Sequence, residues 1–434
     1  MRTRQPGLGR DARLLIAGQG VRAAGYGFTA VLLGALLAAR GYTSLQAGAV
    51  LTALIAGTAL ASLAVGAFAD QIGRRRCYAI FFAGVAVAGL VVAAGAPLWA
   101  LLIVAITGTL STDVVDNGPA TTLEQAMLAA EDAGTAAVYG RYNMVGAAAG
   151  ALGALAVTLP GLGRGGTAPD GRLFAVLVPV GVAGVLVALR LSPGVEAAPA
   201  GTAAREQPAR VRARLGKSRA VVRRMAGLFA IDAAGGGLVT TGFLSYYFVE
   251  RYHAPVADLG WLFFAVSVVQ AASVALAPRL ARRFGLVATM VGTHLPSNVL
   301  LAAVAFAPTY GVAAALLLVR TTLSQMDVPT RQALVMAAVA PEEQTQAAAV
   351  TNAARYTVRP LGPLVAGVVQ QVALGAPLVI AGAIKAGYDI ALWGWARRLP
   401  LRSKSDASRP AGADVADPAA RPGCRPAEEK GQPA

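Results

Sequence analysis

Long apolar runs broken by short polar connections repeat along the whole chain. Twelve such runs can be marked, at about 14–39, 46–68, 77–97, 98–123, 135–159, 173–190, 225–249, 257–279, 285–306, 309–335, 345–372 and 377–396. Most are close to the ~20 residues that carry an α-helix across a hydrocarbon core. None shows the polar face that a helix on a soluble surface needs. The pattern therefore predicts an all-α membrane protein with twelve transmembrane helices. Between the sixth and seventh runs, the segment 191–224 changes character. It carries Pro193, Pro199, Pro208 and many charges, and reads as a cytoplasmic linker between bundles at 14–190 and 225–396. The segment 1–13 reads as a cytoplasmic N-terminal piece. The tail 397–434 is rich in Pro, Gly, Ala and charge, a composition that predicts disorder.

Composition agrees. Of 434 residues, 56% are hydrophobic and 14% charged, too few charges to cover a soluble surface. The 50 glycines suit close helix contacts in lipid. The net charge of +16 comes from basic residues confined to one set of loops: Arg2 to Arg13, Arg74 to Arg76, the run Arg205 to Arg224, and Arg279 to Arg283. The opposite connections, such as Gly41-Tyr-Thr-Ser and Gly375-Ala-Pro, are nearly uncharged. Lys/Arg bias in short loops places the basic side and both termini in the cytoplasm of a plasma or inner membrane. It also explains the charge without nucleic acid. Cys77 and Cys424 are too few for a disulfide framework or metal site. The first apolar run is too long for a signal peptide and is expected to stay as the first helix.

Between the second and third runs lies Gly66-Ala-Phe-Ala-Asp70-Gln-Ile-Gly73-Arg74-Arg75-Arg76. This Gly-x-x-x-Asp-x-x-Gly-Arg-Arg spacing resembles the loop signature of the major facilitator superfamily, although Gln71 stands where the family usually has Arg or Lys. The two halves of the chain also repeat one another at an offset of about 207 to 214 residues. Arg22-Ala-Ala-Gly-Tyr-Gly matches Asp232-Ala-Ala-Gly-Gly-Gly, Gly66 to Gly73 matches Pro278 to Gly285, Glu124 matches Arg331, and Arg141-Tyr142 matches Arg355-Tyr356. Two parallel six-helix halves are what that family has. The resemblance implies two pseudo-symmetric bundles that rock about a central cavity. It also implies a cytoplasmic gate at Gly66, Asp70, Gly73, Arg74 and Arg75, latched by charge pairs. Arg282 replaces the aspartate in the second copy, so Asp70 is the latch's one acidic partner.

Ionisable groups within spans are costly and mark pathways or pairings. Arg22 lies about 13 Å into the first span at 1.5 Å per residue, and Asp232 at similar depth in the seventh. Asp113 matches Arg320 at the same offset. Since the family places helices one and four, and seven and ten, side by side, Arg22 is expected to pair with Asp113, and Asp232 with Arg320. Such pairs either lock each bundle or yield to a ligand or proton. Asp113 and Glu124 are spaced near three helical turns, with Asp116 on an adjoining face and Asn117-Gly118-Pro119 interrupting the helix. This makes a candidate proton path, with Glu124 expected at the solvated rim. Asp327 and Arg331 are likewise expected at a rim, and Lys385 with Asp389 as an i,i+4 pair. His294 is expected to be a packing residue. Tyr26, Arg355 and Arg359 are further cavity candidates, and Gly146 to Gly150 forms a small-residue packing face.

Arg320-Thr-Thr-Leu-Ser-Gln325 resembles a pattern of drug/proton antiporters, here in the opposite half. The leading expectation is a monomeric secondary transporter of a small organic molecule, coupled to protons and working in efflux, with no cofactor and no enzymatic activity. Gly-x-x-x-x-Gly-Lys-Ser/Thr is absent, which argues against ATP-driven transport. Two alternatives stand: a carrier of organic or phosphorylated anions using the deep arginines, and a sensor or scaffold that moves nothing.

Overall fold

The computed structural model describes residues 8–111, 118–130, 136–159, 169–196, 216, 218–340 and 343–398. Asp113, Asp116, most of the 191–224 linker and nearly all of the 397–434 tail lie outside them. The N-terminal half contains α1 (Arg10–Ala39), α2 (Ser44–Ile72), α3 (Arg74–Ala93), α4 (Leu98–Ile106), α5 (Pro119–Ala130), α6 (Ala136–Ala156) and α7 (Leu177–Arg190). The C-terminal half contains α8 (Arg219–Gly237), α9 (Thr241–Tyr252), α10 (Val256–Phe284), α11 (Leu286–Val304), α12 (Tyr310–Ser324), α13 (Asp327–Ala338), α14 (Gln344–Val358), α15 (Gly362–Gln370) and α16 (Ala376–Ala396). Eight stretches are long and apolar enough to cross a membrane unaided. The remaining crossings are α6 and the pieces α4–α5, α12–α13 and α14–α15, which completes twelve spans in two pseudo-symmetric bundles.

The interruptions have local causes. After α4 the backbone turns at Gly108 with φ of 72°, the left-handed cap glycine favours, and Pro119 then opens α5. Gly235 to Gly237 weaken the end of α8, and Thr240 caps α9 by accepting from Phe243 N at 3.3 Å. Pro360 forces the short 3-10 turn Arg359–Leu361 between α14 and α15. Interrupted spans are tolerated where neighbouring helices satisfy the freed backbone.

Gly73 joins α2 to α3 with φ of 101°, and Gly285 joins α10 to α11 with φ of 87°. A side chain is strained at either position, so the repeat read in the sequence is a repeat of turn geometry. In one copy the loop is tied down. The Arg74 guanidinium donates to Asp70 at 2.8 Å and to the Ala126 carbonyl at 3.1 Å. The Glu196 carboxylate accepts from the backbone N–H groups of Arg74 at 2.6 Å and Arg75 at 3.2 Å, and so caps α3. Asp70 is 63% exposed. Asp70→Ala is therefore expected to cost under ~1 kcal/mol in thermal unfolding, while Glu196→Ala, which strips the cap, costs about 1–2 kcal/mol. Equal losses would refute this ranking.

Among the described residues, hydrogen bonds between the halves gather toward one face. Ser44 Oγ donates to Gly367 O at 2.9 Å, Ser245 Oγ to Val31 O at 2.6 Å, and Tyr246 OH to Tyr42 O at 2.9 Å. Leu364 N donates to Thr52 Oγ1 at 2.9 Å. Among the described residues these four bonds join the halves, and all lie toward the ends of α1, α2, α9 and α15 remote from the basic loops.

Candidate functional site

Each half carries one buried charge cluster. In the N-terminal half, Arg22 on α1 meets Glu124 on α5 at 3.0 Å, the two being 1% and 0% exposed. Arg22 also donates to Gln19 and, at 3.0 Å, to Thr121. Glu124 accepts from Tyr78 OH of α3 at 2.8 Å and from Tyr142 OH of α6. The carboxylate is thus held by one guanidinium and two phenols, with no exposure to solvent. Such a pair repays its desolvation only when the remaining lone pairs are also satisfied, as they are here.

In the C-terminal half, Asp232 on α8 binds Lys385 of α16 and, at 3.3 Å, Arg331 of α13. Arg331 also meets Asp327, one turn back, at 2.7 Å, and lies over the Phe229 ring at 5.8 Å. His294 of α11 stands between two carboxylates, with Nδ1 2.8 Å from Asp389 and Nε2 3.9 Å from Asp232. Asn298, one turn further along α11, donates to the second Asp389 oxygen at 2.8 Å. Four helices are thereby cross-linked through charged and polar side chains.

This geometry corrects several expectations. Asp232 does not pair with Arg320; Lys385 and Arg331 occupy its oxygens, and Arg320 forms no salt bridge with a described residue. Glu124 is not at a solvated rim. α5, which begins at Pro119, carries Glu124 to Arg22, and the three-turn spacing from Asp113 falls on residues outside the described ones. Asp327 and Arg331 are buried rather than rim-exposed. Lys385 and Asp389 reach to neighbouring helices instead of to each other, because a buried carboxylate on α8 and a histidine on α11 need them more than they need a helical neighbour. His294 is buried, and its ring bonds Asp389 and Asn298.

Tyr26 is buried and donates to the Thr109 carbonyl at 2.9 Å. Arg355 and Arg359 lie one turn apart, on α14 and the turn that follows it, beside Asn352 and Tyr356. Tyr78 and Gln19 were not singled out in the sequence, Tyr142 stood out there only as a repeat position, and Asn298 only as a neighbour of His294. The readable signal was polar spacing within a span: Thr121 with Glu124, and His294 with Asn298, each lie one turn apart on a single face. Elsewhere, an apolar cavity of 460 Å³ opens between α2, α3 and the α4–α5 junction. Its lining carries no acid or base besides the Cys77 thiol, so it fits hydrocarbon better than a polar solute.

Comparison with known proteins places this geometry. A relative in Saccharomyces cerevisiae, an uncharacterized membrane protein, is 26% identical over 392 residues, which covers 83% of this chain and 88% of the relative. The fold is similar to that of the nucleoside transporter NupG, with a TM-score of 0.67 at 16% identity, covering 90% of this chain and 98% of that one. It is also similar to the inward-open xylose transporter XylE of E. coli, with a TM-score of 0.63 at 16% identity over 90% and 96% of the two chains. The sequence profile of the Major Facilitator Superfamily matches residues 15–363, from the first span into the eleventh. With twelve spans, paired Gly73 and Gly285 turns and a profile match over most of its length, the chain belongs to the major facilitator superfamily and is a transporter, not an enzyme.

Proposed function

We propose that the protein is a secondary active transporter that moves a small organic molecule by alternating access, with protons as the coupling ion. The observation that carries this reading is the one-sided hydrogen bonding between the halves. Four hydrogen bonds close one face, while the charge clusters sit behind that closure. With the basic loops in the cytoplasm, as Lys/Arg bias requires, the closed face is external and the cavity opens inward. Buried carboxylates held by cations, Glu124 by Arg22 and Asp232 by Lys385 and Arg331, supply groups whose charge a proton cancels when a partner is withdrawn. A carrier of this kind is reversible, and its net direction follows the imposed gradients.

The test is accessibility from the closed face. In a background lacking Cys77 and Cys424, Ser245→Cys is fully buried in the closed arrangement. A membrane-impermeant maleimide applied from that face is expected to label it slowly, as the halves rock. Cross-linking Thr52→Cys to Leu364→Cys, whose parent residues meet across the closed face, should stop the labelling, and a reductant should restore it. A Ser245→Cys that is never labelled would identify a static sensor or scaffold instead. Proton coupling is read separately, by imposing a pH gradient on proteoliposomes and following flux with Glu124→Gln.

A further inference from the structure

Around Asp232 the cations outnumber the acids. Lys385, Arg331, Arg320 and Arg355 stand against Asp232, Asp327 and Asp389, and the last of these is already engaged by His294 and Asn298. Arg320 lies close enough to Asp232 and Asp327 to feel both charges, and Arg355 feels the same two acids and the repulsion of Arg331. Yet neither arginine forms a salt bridge to a described carboxylate, and the buried Nε of each lacks an acceptor. On the face of α12 that carries Arg320, one turn on, the buried Ser324 hydroxyl also lacks a partner. A guanidinium deep in a membrane protein is strongly disfavoured without an anion. Both arginines act on the same two acids, each with a vacant buried donor, and call for an anion that no described residue supplies.

The site is reachable by solute. On α14 and the turn after it, Asn352, Arg355, Tyr356 and Arg359 recur at i, i+3, i+4 and i+7, and so share one face. Asn352 and Tyr356 on that face are exposed. A polar face of this length in a spanning helix turns to water, not to lipid. We propose that Arg320 and Arg355 form the substrate's anion-binding site, and that the transported molecule carries a carboxylate or phosphate group. This rests on the transporter reading above and names its substrate class. Guanidinium donors are planar forks that match either group bidentately, and lysine at the same place offers only a point charge.

The test uses purified full-length protein and matched probes: benzoate, benzamide and benzylamine for the carboxylate arm, glucose 6-phosphate and glucose for the phosphate arm. Thermal unfolding is followed as each probe is raised to millimolar concentration. Ligand bound only by the folded state raises the midpoint. At least one anionic probe is expected to raise it and its uncharged or cationic counterpart to leave it unchanged; which anion acts separates carboxylate from phosphate. Arg320→Gln and Arg355→Gln should each weaken the response about tenfold or more, the loss of a charge-assisted bond worth ~1.5–3 kcal/mol. Without probe, both variants should unfold no earlier than the parent, since each removes a charge that lacks a partner among the described residues. Arg320→Lys should keep part of the response. The proposal is overturned by equal stabilisation from benzamide or glucose, by variants that respond like the parent, or by no response to any anionic probe. Any of these outcomes alongside normal Ser245→Cys labelling removes the anion site and leaves alternating access standing.

Discussion

Glu124→Ala is expected to cost about 3–5 kcal/mol of folding stability, among the largest losses available to a single substitution in this chain. The reason lies in what Glu124 satisfies. The carboxylate is fully buried and meets the Arg22 guanidinium at 3.0 Å, while Tyr78 and Tyr142 both donate to it. Alanine withdraws the one described carboxylate from a buried guanidinium and strands two phenolic donors in the same step. Glu124→Gln keeps the shape and one acceptor and should lose less. The informative comparison is the double variant Arg22→Met/Glu124→Met, which removes both charges and should recover most of the loss, since apolar replacement of a whole buried pair is often neutral. Thermal unfolding of the parent, Arg22→Met, Glu124→Met and the double variant in one detergent forms the cycle. A Glu124→Ala protein as stable as the parent would show that the pair contributes nothing to the N-terminal bundle.

Gly34→Ala is expected to act on conformation rather than on folding. An added Cβ at Gly34 would collide with the carbonyl of Gly242, on the facing end of α9. That contact lies between the halves, on the closed face, so the collision exists only while that face is shut. Overpacking of this kind costs about 1–3 kcal/mol, which shifts the balance toward the open arrangement by roughly tenfold or more. Labelling of Ser245→Cys from the closed face should accelerate accordingly. Gly153→Ala is the control. Its Cβ would strike the Ala24 carbonyl of α1, within the N-terminal half, where the packing is needed in every arrangement. It should lower the unfolding temperature without favouring either face. If Gly34→Ala and Gly153→Ala behave alike, the contact at Gly34 does not distinguish the states.

The architecture was legible because membrane crossing imposes it. Apolar length, basic loops and the Gly-x-x-x-Asp-x-x-Gly turn survive in sequence without knowledge of neighbours. Arg22, Asp232 and Arg320 could also be recognised as costly charges, and the swap of charge between halves could be read by alignment of the copies. Partner choice could not. Whether Asp232 takes Arg320, Arg331 or Lys385 depends on how α12 stops at Ser324 and restarts at Asp327, and on α16 presenting Lys385 to α8. Those are matters of angular register between helices from distant parts of the chain. Local spacing misled at Lys385 and Asp389 because the i,i+4 rule describes solvated helix surfaces, where no deeper partner competes.

The swap of charge between the copies also fixes the sense of the electric field in the cavity. Arg22 and Glu124 in one half occupy the places of Asp232 and Arg331 in the other, and both pairs are formed. Halves related by a half-turn about the membrane normal would, with identical charges, point their transverse dipoles against each other and cancel. Reversing the sign in one copy makes the transverse components add, and the components along the normal cancel instead. A polar solute between the bundles therefore meets a field directed from one bundle to the other. That field fixes which end of the solute faces which half while adding little bias along the direction of travel.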